Sequence, residues 1–267
     1  MSDCKGILFA VPGTTCPDAK VAFERIELAA SRRFPEVALR WAFTSAPIRR
    51  KLTAQGIEAN SPEEALELMK KEGLSQVAVI SLHLTDGLEF GELVETVAAF
   101  GRHPGNRMKV ALGHALMACE ADWVQALSSI LKELPGKPGP RDRVILVAHG
   151  STDSHAEKTL QAAVQGCRRV DPRLILGMIL GKPGCDEVVR ECLDNEVKKV
   201  WLIPCMVVAG FTARDEISGA GEHSWATALI RAGIAVVSVT KGLGETSGVV
   251  DIWLEQAGGL LRDNHER

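Results

Sequence analysis

A few side chains stand where their types and spacing can do chemistry. His149 follows the apolar run Val144-Ile145-Leu146-Val147-Ala148 and opens the stretch His149-Gly150-Ser151-Thr152. A run of this kind reads as a buried parallel strand, and open α/β sheets place their chemistry in the loop at its C-terminal end. His83 follows a similar run, Gln76 to Leu82, and leads into Asp86-Gly87-Leu88-Glu89. A neutral imidazole ligates divalent metals and takes up a proton near neutral pH, and a carboxylate can share the second task. There are plainer roles too. His149 can cap the next helix or bond across its loop, and His83 is open between a site and a satisfied structural histidine. His155, near a helix start, reads as surface; His103, His223 and His265 fall in polar, loop-like or terminal stretches and read as solvated.

The elements that position these residues come in two copies. Gly6-Ile7-Leu8-Phe9-Ala10-Val11-Pro12-Gly13-Thr14-Thr15 repeats the pattern around His149, with Pro12 in the histidine's place. Pro62–Leu66 through Gln76–Ile80 parallels Cys185–Val189 through Lys199–Ile203. Periodicity and breakers predict strands at 6–11, 38–43, 76–82 and 109–112, with helices at 21–33, 48–56, 62–72, 92–100 and 120–134. The first helix is expected to use Val21, Phe23, Ile26, Leu28 and Ala29 as its apolar positions, after the turn residues Cys16-Pro17-Asp18-Ala19-Lys20. Pro135-Gly136-Lys137-Pro138-Gly139-Pro140 can continue neither regular structure and reads as a linker, giving domains 1–136 and 137–267. Strands at 143–148, 174–180, 200–206 and 235–240 then alternate with helices at 155–168, 186–194, 224–232 and 247–261. The expected fold class is α/β: two similar domains, each a parallel β-sheet flanked by helices, with a cleft between them. Gly13, Thr14, Ser45, His83, Glu89, His149, Pro183 and Thr212 are all expected to approach that cleft from strand ends.

Composition narrows the partners. The 267 residues are 46% hydrophobic with a net charge of −3, enough for two ordinary cores. There is no long basic run to follow a phosphate backbone, so nucleic acid is not an expected partner. No apolar stretch of ~20 residues suggests a membrane span, and the start of the chain does not resemble a signal peptide, so the expected location is the cytoplasm. The seven cysteines stand singly, without the Cys-x-x-Cys spacing of zinc or redox motifs, and read as reduced, mostly buried thiols. Gly13-Thr14-Thr15 and Gly150-Ser151-Thr152 are similar to anion-binding turns, but the Lys of a phosphate-binding loop is missing.

These segments, in this order, resemble the class II chelatases, and most closely the anaerobic sirohydrochlorin cobaltochelatases of the CbiK type. The resemblance is carried by Gly13-Thr14, Ala42-Phe43-Thr44-Ser45, Glu64-Ala65-Leu66, and the His83 loop with Gly87 and Glu89. It continues with His149-Gly150-Ser151, Leu202-Ile203-Pro204 through Val208-Ala209-Gly210, Ala213-Arg214, Ser224-Trp225 and Lys241-Gly242-Leu243-Gly244-Glu245. It implies insertion of Co2+, with Fe2+ or Ni2+ as other metals, into a tetrapyrrole of the anaerobic cobalamin pathway, with release of two pyrrole protons and no organic cofactor. The tetrapyrrole, sirohydrochlorin, would lie between the domains, in a chain that can form a homo-oligomer.

The resemblance also implies a metal triad of two histidines and a glutamate. His149 matches one histidine, whereas Thr212 and Leu180 stand at the places of the other two ligands. Aligning Asp86-Gly87-Leu88-Glu89 with Ala209-Gly210-Phe211-Thr212 puts Glu89 opposite the lost histidine. The expected substitute metal site is therefore His149, Glu89 and His83, with His149 and Glu89 as bases. Gly13, Thr14, Ser45, His83, Ser151 and Arg214 are the expected contacts to the tetrapyrrole, whose carboxylates Arg214 and the 49–51 cations can meet, though the latter read first as a solvated helix face. The chain has no tyrosine, so apolar contact is expected from Phe43, Leu88, Leu180, Met206 or Phe211. A second reading follows from that apolar cleft: an altered chelatase that binds or carries a tetrapyrrole or metal without efficient metallation.

Overall fold

The computed structural model describes residues 4–17 and 20–263. Asp18, expected in the turn before the first helix, and His265 lie outside them. The described chain runs β1 (Lys5–Val11), α1 (Lys20–Arg33), β2 (Ala38–Phe43), α2 (Ala46–Ala54), α3 (Pro62–Lys71), β3 (Gln76–Ser81), α4 (Leu88–Arg102), β4 (Lys109–Leu112) and α5 (Glu120–Lys132). It continues with β5 (Asp142–Gly150), α6 (Ser154–Val170), β6 (Leu174–Leu180), α7 (Cys185–Asp194), β7 (Lys199–Cys205), α8 (Trp225–Arg231), β8 (Ala235–Ser238) and α9 (Ser247–Asp263). The strands form two four-stranded parallel sheets with one topology, β2-β1-β3-β4 and β6-β5-β7-β8. The duplication expected from the sequence is therefore a duplication of strand order.

Period-two alternation divides the apolar residues between two faces of each sheet. Ile7, Phe9 and Val11 of β1 and Val144, Leu146 and Ala148 of β5 enter one core that both lobes share. Leu8 and Ala10 turn outward to α3 and α4, and Ile145 and Val147 turn outward to α7 and α8. Strands buried on both sides have no polar face, which is why their sequences read as unbroken apolar runs. Helix starts repeat as well. In α3, Ser61 Oγ accepts from Glu64 N–H and Glu64 takes the Ser61 N–H at 2.7 Å; in α7, Glu187 takes the Gly184 N–H at 2.8 Å. Both carboxyls sit below their ordinary range, chiefly because of those backbone donors.

Two expectations are corrected. In α1 the buried side chains are Ala22, Ile26 and Ala30, while Val21 and Leu28 are exposed. Small residues let this helix lie close, and Gly244 packs against Ala22 and Ile26. The second correction concerns α4, which begins at Leu88 rather than at residue 92, because extended Gly87 is its N-cap. Glu89 therefore lies in a first helical turn, where the helix dipole favours a negative charge.

The last helix departs from simple duplication. α9 packs on α5 and β3, covering the first sheet although it ends the second half of the chain. Of the cysteines, Cys16, Cys167, Cys192 and Cys205 are buried, Cys119 and Cys185 half-buried and Cys4 exposed, all unbridged. Burial pushes the Cys167 thiol up to about 12. Among the described residues no helix is long and apolar enough to cross a membrane.

Candidate functional site

The C-terminal ends of β1, β3, β5 and β7 converge on one cavity of ≈ 640 Å³. Six of the expected site residues line it: Gly13, Thr14, His83 and Glu89 from the first lobe, His149 and Ser151 from the second. Thr212 lines it as well. Ser45, Arg214 and Pro183 do not. Ser45 is the N-cap of α2, and Arg214 lies exposed in a short π-helical turn, Ala213–Ile217. Its apolar wall includes Leu88, Met206 and Phe211, but neither Phe43 nor Leu180; Leu180 ends β6 at 44% exposure.

His149 belongs to β5 itself rather than to the loop after it, since the strand pairs on to Gly150–Leu180. Gly150 has φ +79°, and a Cβ there would overlap the Leu180 backbone carbonyl, so only glycine lets the strand end this way. The His149 ring is exposed at the cavity and makes no hydrogen bond to another described residue. Both its capping and its cross-loop roles are thereby set aside. The helix that follows is capped by Asp153, which accepts from His155 and Ala156 N–H.

His83 is held quite differently. It is 7% exposed, with Nδ1 2.9 Å from Ser81 Oγ and Nε2 3.0 Å from Thr44 Oγ1. Thr44 Oγ1–H donates to Glu89 Oε2 at 3.2 Å, so its lone pairs are left to accept from His83 Nε2–H. That assignment places a hydrogen on Nε2, with Nδ1 facing the Ser81 hydroxyl. Hydrogen bonding thus runs from His83 to Thr44 to Glu89. The Glu89 carboxyl is held below its ordinary range by the His83 ring, whose Nε2 lies 3.6 Å away, and further by Thr44 and the Arg49 charge; partial burial opposes them. A carboxylate therefore faces the cavity at neutral pH.

Thr44 is the participant that sequence reasoning passed over, and Arg49, expected either to meet the tetrapyrrole's carboxylates or to lie on a solvated helix face, does neither. Arg49 does not offer its guanidinium to a ligand: Nη1 donates to the Phe43 and Thr44 carbonyls at 2.6 and 2.7 Å, fixing the turn that presents Thr44. From the 49–51 run it is Lys51 that reaches the cavity. The signal available was the neighbour of Ser45 at a strand end, one residue away from the position chosen.

The two lobes meet on both sides of the cavity through equivalent glycines. A Cβ on Gly87 would meet Ala156 Cβ at 2.9 Å, and one on Gly210 would lie 3.3 Å from Thr14 Oγ1. Thr14 and Ser151 correspond too: each Oγ accepts from the backbone N–H two residues on, at 3.0 Å, closing a local turn. Beside Gly87, Asp86 bonds His155 Nε2 at 2.9 Å and Thr159 Oγ1 at 2.5 Å. His155 is a surface residue as expected, and one that ties the lobes together. Leu88 and Phe211, at equivalent positions, are 70% and 56% exposed beside the cavity.

Residues 5–259 match the family model described as cobalt chelatase (CbiK). The chain is 35% identical over 251 residues to the sirohydrochlorin cobaltochelatase CbiKC of Nitratidesulfovibrio vulgaris, covering 94% of this chain and 88% of that protein. It is 30% identical over 237 residues to the sirohydrochlorin cobaltochelatase of Salmonella typhimurium, covering 88% and 86% respectively. Among solved structures, SirB from Bacillus subtilis with Fe3+ superposes with a TM-score of 0.68 at 15% identity, covering 99% of this chain and 98% of that one. The sirohydrochlorin chelatase SirB of Bacillus subtilis subspecies spizizenii in complex with cobalt gives 0.64 at 16% identity, covering 98% of both chains. At these identities the solved structures establish the fold they share with this chain.

Proposed function

The chain belongs to the CbiK cobalt chelatase family, and from that premise we propose that it is a sirohydrochlorin cobaltochelatase, a lyase that inserts Co2+ into the tetrapyrrole. The carrying observation is that an unbonded imidazole, His149, shares one cavity with the ionised Glu89. A first-row divalent metal needs donors that hold it and then release it, and neutral nitrogen with one carboxylate oxygen provides a weak, charge-compensated pair. His149 and Glu89 are the proposed ligands. His83 stands behind them, since both its ring nitrogens already face hydroxyls; ligation through it requires Thr44 to let go.

Insertion exchanges two pyrrole N–H protons for the metal. Once Co2+ passes to the ring nitrogens, the freed Glu89 carboxylate and His149 are the bases that take those protons. Gly13, Thr14 and Ser151 line the proposed tetrapyrrole site, with Leu88 and Phe211 supplying apolar contact and Lys51 a positive charge for the ring's carboxylates. Fe2+ and Ni2+ remain alternative metals, and no organic cofactor enters this chemistry. We place the protein in the cytoplasm, as a possible homo-oligomer, with lobes 1–136 and 137–267 and α9 crossing back to the first. The test is anaerobic incubation with sirohydrochlorin and Co2+, followed by absorbance. Wild-type protein is expected to metallate the ring and His149→Ala to lose at least ~10²-fold in rate, within the usual range for one acid–base group. Binding of the tetrapyrrole without turnover by wild type would select the carrier reading instead.

A further inference from the structure

A second constellation of donors lies outside the cleft, on the segment joining β4 to α5 and in the first turn of α5. His114, Cys119 and Asp122 each offer a ligand atom, and these atoms all lie within 4.8 Å of one another. His114 Nε2 is 2.9 Å from Asp122 Oδ2, and Gln256 Nε2, reaching over from α9, is 2.9 Å from the same oxygen and 3.1 Å from the same ring nitrogen. Without a metal, two donors converge on Asp122 Oδ2, one from His114 Nε2–H and one from the Gln256 amide.

A cation between the ring nitrogen, the carboxylate oxygen and the thiolate can take the place of the His114 proton, because all three then present lone pairs to one centre. Turning the Gln256 amide over supplies a fourth donor: Oε1, buried beside Gly113 without a hydrogen-bond partner among the described residues, then faces the ion while Nε2 takes its place. Nitrogen, sulfur and oxygen together suit a borderline divalent ion of the Co2+ or Zn2+ class, with tetrahedral coordination, rather than Mg2+ or Ca2+.

We propose that His114, Cys119 and Asp122 form a second site for a divalent transition metal, one that fastens the 113–119 segment to α9 through Gln256. The segment matters to the cleft. Its Leu116 and Met117 N–H groups donate to the His83 and Leu84 carbonyls at 3.1 and 2.8 Å, and Met117 lines the cavity. The metal thus braces the wall that carries His83, without itself being the ion that is inserted.

The proposal is independent of the cleft's chemistry and is read with Co2+ alone. Titrating the whole protein anaerobically with Co2+ is expected to give a thiolate-to-cobalt charge-transfer band in the near ultraviolet. The band should persist in His149→Ala and vanish in Cys119→Ser, a change that puts a preferred capping residue at the N-cap of α5. His114→Ala should weaken the band-forming affinity by more than the ~10–100-fold typical of losing an outer-sphere partner. No band in the wild type, a band unchanged in Cys119→Ser, or one lost in His149→Ala would each overturn it.

Discussion

At the scale of single residues, the two cavity histidines are opposites. His149 has its ring free at a strand end, whereas His83 is buried with a hydroxyl at each nitrogen. Glu89, joined to His83 through Thr44, has its folded-state pKa depressed, so its charge stabilises the fold above the ordinary value of 4.5. That contribution is lost as pH falls through the lowered folded value. Glu89→Gln should accordingly melt below wild type at pH 7, and the gap should close as pH drops beneath 4.5; melting curves across pH check it. The residues themselves were legible where each stands alone after an apolar run, as His149 and His83 do. The bridging role of Thr44 was not, and Arg49 was read for its charge alone, because both roles depend on the carbonyls that the Phe43–Thr44 turn presents, which no spacing of residue types encodes. The His114 group escaped for the same reason. Its fourth member, Gln256, is far away in sequence.

Strands were read closely throughout. The edge strands β2, β4 and β6 begin and end where expected although Arg40 and Lys109 are exposed, and the buried β1, β3 and β7 do so to within a residue. Helices covered on one face were placed correctly but read less exactly, as α1 shows by burying alanines and exposing Val21. The short turns at Leu116–Ala118, Ala213–Ile217 and Leu243–Glu245 left no periodic signal at all. The end of β5 is the element on which the cleft most depends. Gly150→Ala forces a Cβ into the Leu180 carbonyl at a left-handed φ, and should cost about 3 kcal/mol or more while displacing His149. Urea denaturation measures the first effect and loss of metallation the second.

For the molecule as a whole, duplication of strand order was visible in the repeated segments, while the return of α9 to the first sheet was not. Repeats report what the halves share, and α9 is where they differ in use. The shared core joins Ile7 and Phe9 to Val144 and Leu146 and to Trp253 of α9, so neither half is closed without the other. Residues 1–136 expressed alone should therefore lack cooperative unfolding and bind hydrophobic dye, whereas the full chain should unfold in one transition; calorimetry with dye binding distinguishes the two.

The paired lobes carry Pro12 where the other has His149, and Glu89 where the other has Thr212. A frame built on one repeated strand order thus wears unlike linings. For a flat macrocycle, turning over is no longer a neutral operation: one orientation presents its rim to the carboxylate, the other to the bare imidazole. In the proposed site it is the chemical handedness of the gap, rather than its shape, that would set which way round a guest sits.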